Sequence, residues 1–284
     1  MTEGTLFVVA TPIGNLSDLS LRARDVLAGV ELIAAEDTRH TKQLLSHFGI
    51  ATRLQSLHEH NELQLVPKLL DRLRAGQSIA LVSDAGTPLI SDPGYQLVAA
   101  AQKSGITVSP VPGPSALIAA LSAAGLPTDR FCFEGFLPAK RAARRERIAA
   151  FAADPRTVVL FESVHRAADC LADLAQILGE DRPAFIGREI SKQHEQCCAA
   201  NLGVLKSMLD DGRIASRGEF VFVIAGAKPR KGQADDGEAR RVLQMLMREL
   251  PGKKASRLAA DILNRRPNET YRLMLALKKD AGNA

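Results

Sequence analysis

Aromatic residues are scarce in this chain of 284 residues, which has ten Phe, two Tyr and no Trp. Proteins that hold single-stranded nucleic acid by stacking bases on aromatic side chains use more of them, so the composition disfavours that class. The four cysteines, at positions 132, 170, 197 and 198, form no CxxC motif. We therefore expect reduced thiols, no disulfide framework and no metal site.

Long apolar runs are also missing. The longest nearly unbroken run, Ala116–Leu126, is about half of the ~20 residues that a membrane span needs. The first residues, Met-Thr-Glu-Gly, lack the basic segment with which a signal peptide begins. These absences predict a cytoplasmic protein with no membrane partner.

Two nucleotide-binding signatures are absent as well. The chain has no GxxxxGK[ST] sequence, which excludes a P-loop, and no GxGxxG after its first predicted strand, which excludes the ordinary dinucleotide-binding fingerprint.

Short apolar runs alternate with helical patterns over the first two hundred residues, which is typical of βαβ units. We predict a parallel-sheet α/β domain over residues 1–126 and a second, mixed-sheet α/β domain over residues 127–227. A polar linker (228–238) and a basic, helix-turn-helix-like module of three short helices (239–284) follow. The predicted strands are Leu6–Ala10, Leu32–Ala35, Ile79–Val82, Thr107–Val111, Phe131–Phe136, Thr157–Phe161, Ala184–Gly187, Gln196–Ala200 and Phe220–Ala225.

The positive charge is concentrated at the end of the chain. Residues 228–284 hold 14 of the 37 basic and 7 of the 32 acidic residues, so this segment carries +7 and residues 1–227 carry −2. A solvated helical appendage and a module that binds a polyanion both fit this pattern, and the second is favoured.

Three loops at predicted strand ends carry glycine, proline and small polar residues: Val9–Asp18, Leu81–Gly94 and Val111–Ala116. In a parallel sheet all three lie at the carboxyl edge, where open α/β folds bind ligands. Few basic residues occur in these loops, so a nucleoside with small polar groups suits them better than a polyphosphate.

Four motifs carry a family resemblance: Thr11–Asn15, Ala35–Arg39, Ser83–Pro88 and Pro112–Ala116. In combination they resemble the tetrapyrrole-methylase superfamily of S-adenosylmethionine (SAM) enzymes, and within it the bacterial 16S ribosomal RNA (cytidine-2′-O)-methyltransferases that act at the decoding centre. The resemblance covers about residues 4–226. It implies two α/β domains with SAM in the cleft between them, a homodimer, and 16S rRNA or the small ribosomal subunit as partner.

The resemblance also implies which residues hold SAM. They are Pro12, Gly14, Ala85, Gly86, Thr87, Ile90, Ser115, Ala116, Glu162 and Glu189.

Methylation of a ribose hydroxyl benefits from a general base. Asp37, Glu162 and Glu189 are the candidates, and the sequence does not choose among them. Two basic segments are candidates for RNA contact: Lys140, Arg141, Arg144, Arg145 and Arg147 in the middle of the chain, and Lys253, Lys254 and Arg257 near its end.

Two other functions stay open. Porphyrinoid-methylating relatives have a GxGPGD-like first loop, and the Thr-Pro-Ile-Gly-Asn found here disfavours a tetrapyrrole substrate. The other alternative is a non-catalytic RNA-binding protein whose cleft only senses a nucleotide, and the three ligand loops are the feature that favours an enzyme over it.

Overall fold

The structure is a computed structural model that describes residues 3–228, 236–263 and 265–281. The chain forms two compact units, residues 1–227 and residues 228–284. Most of the predicted linker, 228–238, lies outside the described residues.

The first unit contains a parallel five-stranded sheet in the order β3-β2-β4-β1-β5. The middle strands are short apolar runs with both faces buried, as expected for a parallel sheet covered by helices on both sides. Its strands are β1 (Leu6–Val9), β2 (Leu32–Ala35), β3 (Leu54–Ser56), β4 (Ile79–Val82) and β5 (Val108–Val111).

A second, mixed sheet follows in the order β6-β7-β10-β8-β9. Strands β6 and β7 pair in parallel, with a bulge between Phe133 and Gly135, and the other pairs are antiparallel. Its strands are β6 (Phe131–Phe136), β7 (Thr157–Ser163), β8 (Pro183–Arg188), β9 (Gln196–Asn201) and β10 (Glu219–Ile224). The two sheets confirm the predicted α/β class, with one parallel and one mixed sheet.

Eight α-helices connect these strands in the described part of the first unit. They are α1 (Leu21–Gly29), α2 (Thr38–His47), α3 (Glu62–Arg74), α4 (Tyr95–Lys103), α5 (Ala116–Ala123), α6 (Arg141–Ala150), α7 (Val164–Leu178) and α8 (Leu202–Asp210).

Helix α5 joins the two halves of the first unit. It follows the last strand of the parallel sheet, yet Leu117 and Leu121 pack with Phe185 and Val221 of the mixed sheet. Because this packing crosses the predicted boundary at 126/127, the two sheets belong to one compact unit, and the division into domains there stays a prediction.

The second unit consists of α9 (Asp236–Glu249), α10 (Gly252–Ile262) and α11 (Pro267–Ala281). Leu243, Ala259, Met274 and Leu277 form its core. All three helices were predicted from the sequence, with ends that differ by a few residues.

Three local predictions were incomplete. Strand β3 and helix α8 were not predicted. The sequence pattern predicts one helix over Ser17–Leu27. The structure has a 3-10 turn, Leu16–Asp18, followed by α1, because the Ser20 side chain accepts a hydrogen bond from the Ala23 amide and caps a new helix. In the described residues, no helix is long and apolar enough to cross a membrane.

Candidate active site between the two sheets

The three predicted ligand loops meet at the carboxyl edge of the parallel sheet. Thr11 and Gly86 exchange backbone hydrogen bonds of 2.9 and 3.0 Å, which tie the first loop to the second. The Thr87 hydroxyl donates to the Pro114 carbonyl at 3.2 Å, which ties the second loop to the third. The loops therefore form one connected surface.

A cavity of about 310 Å³ lies between this surface and the mixed sheet. This volume is at the lower end of the range of about 300–1,000 Å³ for small-molecule pockets. The wall from the parallel sheet consists of Ile13, Ala85, Gly86, Thr87, Ile90, Ser91, Asp92, Ser115 and Ala116. The wall from the mixed sheet consists of Phe136, Phe161, Glu162, Ser163, Gly187, Ile190, Lys192, Glu219, Phe220 and Val221.

Backbone strain is concentrated in two loops of this cavity. Among the described residues, the non-glycine positions with positive φ are Leu89 (74°) and Ser91 (71°) in one loop and Glu189 (50°) and Ser191 (68°) in the other. Such conformations cost about 1–3 kcal/mol each and persist where the surrounding structure imposes them, often at functional sites.

Lys192, from the mixed-sheet wall, reaches the first ligand loop. Its Nζ donates to Glu189 at 2.8 Å and to Glu219 at 3.0 Å. Its stem lies on Gly14, where an added Cβ would stand 2.2 Å from Lys192 Cγ. Any side chain at position 14 would displace Lys192, so the glycine of the first loop positions a cation from the opposite wall.

Seven of the ten predicted SAM-binding residues line this cavity; three do not. Pro12 and Gly14 line a neighbouring cavity of about 260 Å³, together with His40 and Asp84. Glu189 does not line the cavity, but it forms an ion pair of 2.8 Å with Lys192, which does. The seven that line the cavity are Ala85, Gly86, Thr87, Ile90, Ser115, Ala116 and Glu162.

Asp37 lies outside the cavity. It caps α2 by accepting from the Arg39 amide, and it forms an ion pair with the Arg39 guanidinium at 2.8 Å. The hydrogen bonds from Arg39 hold the pKa of Asp37 well below its usual range. A capping carboxylate with such a low pKa is a weak proton acceptor.

Glu162 and Glu189 are both engaged by neighbours. Glu162 is buried, and its two oxygens accept from the Ser163 amide at 2.8 Å and the Arg166 guanidinium at 3.1 Å. Burial alone raises the pKa of Glu189, but the hydrogen bonds from Lys192 and the Glu219 amide outweigh it and lower that pKa.

Asp92 belongs to the cavity, although sequence reasoning did not select it. Burial raises its pKa, and a hydrogen bond with Ser83 lowers it again in part, while the neighbouring Asp84 carboxylate raises it. Burial and the same carboxylates, Asp84 and Asp92, raise the pKa of Glu36. The Ser-Asp-Pro-Gly turn at 91–94 was the only signal in the sequence.

Lys192 was also missed as a cavity residue. It stands three positions after Glu189, and its contact with Gly14 is visible only once the two sheets are in place. Among the described residues, no group of three or more His, Cys, Asp or Glu side chains is arranged to hold a metal ion.

The first basic segment is largely ion-paired, and Arg144 requires a correction. Its side chain is 4% exposed and binds Asp173 at 2.8 Å, so it has no access to a phosphate. Arg141 and Arg145 contact the same Asp173 carboxylate, and Arg147 pairs with Glu134. In the second unit, Lys253, Lys254 and Arg257 are exposed on α10 without an ion-pair partner among the described residues.

Residues 5–206 match the family described as Tetrapyrrole (Corrin/Porphyrin) Methylases. Together with the paired sheets and the cavity between them, this match shows that the chain belongs to the tetrapyrrole methylase family. Residues 233–278 match the RsmI C-terminal HTH domain.

Several curated relatives carry the name Ribosomal RNA small subunit methyltransferase I, and this chain belongs to their branch of the family. The protein of Xylella fastidiosa is 53% identical over 92% of this chain and 95% of its own length. That of Escherichia coli O157:H7 is 50% identical over 96% of each chain. That of Pseudomonas aeruginosa is 52% identical over 97% of this chain and 98% of its own length. The resemblance predicted from the motifs is confirmed.

Solved structures share the fold at lower identity. A cobalt precorrin-4 methyltransferase has a TM-score of 0.57 at 16% identity, covering 78% of this chain and 94% of its own. The uroporphyrin-III C-methyltransferase of Thermus thermophilus, solved with S-adenyl homocysteine, has a TM-score of 0.52 at 20% identity. The match covers 78% of this chain and 97% of that chain.

Proposed function

We propose that this protein transfers the methyl group of SAM to the ribose 2′-hydroxyl of a cytidine in 16S ribosomal RNA. One observation carries the proposal: a ligand-sized cavity lies at the carboxyl edge of a parallel sheet, in a chain about half identical, over nearly its whole length, to ribosomal RNA small subunit methyltransferases.

The cavity residues fit SAM. Three carboxylates, Asp92, Glu162 and Glu219, and one ammonium group, Lys192, line it, so its charge balance favours a cation. Phe136, Phe161 and Ile90 add apolar surface for a nucleoside, and small residues such as Ala85 leave space beside it.

When bound, SAM supplies a methyl group that is already activated on a sulfonium. The protein therefore has mainly to align the nucleophile with it, and alignment contributes up to about 7–11 kcal/mol. The loop bonds Thr11–Gly86 and Thr87–Pro114 fix one wall of the cavity, and the Glu162–Arg166 pair fixes the other.

The exposed cations of α10 are suited to phosphate contacts. Lys253, Lys254 and Arg257 stand in one short helix of the second unit and are not neutralised by described neighbours. Phosphate contacts position an RNA without reading its sequence. In the first segment, Lys140 is exposed and has no ion-pair partner among the described residues, so it stays in the proposed set.

Methyl-labelled SAM tests the function directly. The full chain is incubated separately with small ribosomal subunits, deproteinised 16S rRNA and uroporphyrinogen. We expect label in the RNA, at a single cytidine whose 3′ phosphodiester resists alkaline hydrolysis because the 2′-hydroxyl is blocked. Label in the porphyrinogen alone would make the protein a porphyrinoid methylase. RNA binding without any label would favour a non-catalytic role.

A glycine variant tests whether SAM binds in this cavity. Gly86 has φ +79°, and a Cβ there would lie 3.3 Å from Ile13 Cγ2. We expect Gly86→Val to lose SAM binding in calorimetry while circular dichroism shows a folded protein, because valine disfavours this backbone conformation. Wild-type affinity in the folded variant would place the SAM site elsewhere.

A homodimer and a cytoplasmic location belong to the same proposal and are supported by the family resemblance. Light scattering of the purified chain tests the first, and fractionation of cells tests the second.

A further inference from the structure

Three carboxylates line the cavity in the described part of the chain, and they differ in their partners. Both oxygens of Glu162 accept hydrogen bonds, one of them from Arg166. Glu219 binds Lys192, and its side chain is 82% exposed. Asp92 has no ion-pair partner among the described residues. Asp92 is thus the cavity carboxylate that no cation neutralises.

The groups around Asp92 favour its protonated form more than water does. Asp84 and Glu36, from the same sheet edge, place negative charge near Asp92, whereas its interaction with Ser83 favours the ionised form. Across the cavity stand Glu162, Lys192 and Glu219, of which Lys192 is already bound by two carboxylates. Burial raises the pKa of Asp92, and Asp84 raises it further against the opposing effect of Ser83.

The loop that carries Asp92 is held in a defined shape. Leu89 and Ser91 adopt positive φ on its N-terminal side, and Pro93 restricts the backbone on the other. Thr87, five residues earlier, is bonded to the Pro114 carbonyl. These constraints keep Asp92 at the same wall as Gly86 and Ser115.

We infer that Asp92 is the catalytic proton acceptor that activates the substrate hydroxyl. The inference rests on the proposed function and adds the base that the sequence left open. In the step, the ribose 2′-oxygen forms a bond to the methyl carbon, and the carbon–sulfur bond breaks with its electron pair going to sulfur. The hydroxyl proton goes to the Asp92 carboxylate, which later releases it to water.

Asp92 suits this role better than the three carboxylates suggested by the sequence. A general base needs a free lone pair and a pKa closer to the working pH than that of an ion-paired carboxylate. Asp37 and Glu189 have lowered pKa values, and each oxygen of Glu162 already accepts a hydrogen bond, one of them from the Arg166 guanidinium. We therefore assign Glu162 to positioning the cavity wall.

The test compares wild type with Asp92→Asn and, as a matched control, Glu59→Gln. Glu59 is exposed at the same sheet edge and outside the cavity, so its variant removes one negative charge without removing the base. Single-turnover methylation of small ribosomal subunits is measured at saturating SAM, and SAM affinity is measured separately by calorimetry.

We expect Asp92→Asn to lower the single-turnover rate by about 10²–10⁴-fold, the usual contribution of a general base. SAM affinity should fall less than tenfold, and Glu59→Gln should match wild type in both measurements. A smaller loss of rate, or a loss of SAM affinity large enough to explain it, would overturn the inference.

The pH dependence provides a second readout. A base acts only when deprotonated, so the wild-type rate should fall as pH drops through the raised pKa of Asp92. This acid limb should be absent in Asp92→Asn, and an unchanged limb would contradict the assignment. If wild type itself transfers no methyl group to any RNA, the proposed function fails, and this is distinguishable from failure of Asp92 as the base.

Discussion

The two basic segments of this chain look alike in sequence and differ in their surroundings. Residues 140–147 hold five basic residues and one acid. In the structure three of these arginines converge on Asp173, whose side chain is 1% exposed, and a fourth pairs with Glu134. The cations at 253, 254 and 257 stand exposed on α10.

The comparison shows that a cluster of basic residues indicates a phosphate-binding surface only when no carboxylate of the folded protein pairs with them. Asp173 lies in α7, about thirty positions beyond the arginines that bind it, and Glu134 lies in β6. In α10 no described carboxylate plays that part. One segment therefore stabilises the first unit, while the other remains available for a polyanion.

The largest expected effect is on stability. Replacing Asp173 by Ala leaves the buried Arg144 without its partner, and breaking a buried pair costs about 3–5 kcal/mol of unfolding free energy. Urea denaturation of wild type and variant measures this loss of unfolding free energy. The matched control, Asp71→Ala, removes an exposed ion pair with Arg74 and should cost about 1 kcal/mol or less. Equal losses would erase the distinction between buried and exposed pairs.

The second expected effect is on pH dependence. Burial alone raises the pKa of Asp173, but hydrogen bonds from Arg144, Arg145 and Arg141 outweigh it and lower that pKa. The ionised Asp173 therefore contributes its full stabilisation above the ordinary pKa of aspartate in the unfolded chain. This stabilisation is lost as pH falls through the lowered pKa that Asp173 has in the folded protein. Unfolding free energies measured between pH 7 and pH 3 should fall more steeply for wild type than for Asp173→Asn; parallel curves would contradict this.

The third prediction concerns RNA affinity. Replacing Lys253, Lys254 and Arg257 by Ala should make the slope of log affinity against log salt shallower by about 2–3 units, since each phosphate contact contributes about 0.7–0.9. Deleting residues 232–284 should do at least as much and leave SAM affinity nearly unchanged. Filter binding at several salt concentrations measures the slope. An unchanged slope in both variants would make the second unit a solvated appendage.

The smallest effect is expected at Arg147. Its side chain is 54% exposed and paired with Glu134, so Arg147→Ala should cost no more than about 1 kcal/mol. Because this cation is already neutralised, the salt slope of RNA binding should change by much less than in the α10 variant. A slope change as large as that of the α10 variant would return α6 to the RNA-contacting surface.

Strong local patterns allowed much of the fold to be predicted. The alternation of apolar runs and helical stretches located all strands except β3, a three-residue edge strand too short to have a pattern of its own. The separate turn before α1 was missed because the start of α1 depends on one capping side chain, Ser20. Helix α8 was missed because its position depends on packing against β8 and β9.

The candidate site was predicted in part. The loop sequences by themselves indicated a site at the carboxyl edge of a parallel sheet, because parallel strands bring their ends together and glycine and proline turns leave room for a ligand. Seven of the proposed SAM-binding positions line the cavity, whereas Pro12 and Gly14 face a neighbouring one.

The sequence alone determined the α/β class, the family and the excess of positive charge in the last residues, since these depend on residue types and on their spacing along the chain. Only the tertiary structure decided which charges are neutralised. Arg144 meets Asp173 and Lys192 meets Gly14 across long stretches of chain, whereas Asp92 has no described cation beside it. The interaction energy and the pKa of a charged group depend on its burial and on neighbours within a few ångströms. Folding brings those neighbours from distant parts of the sequence.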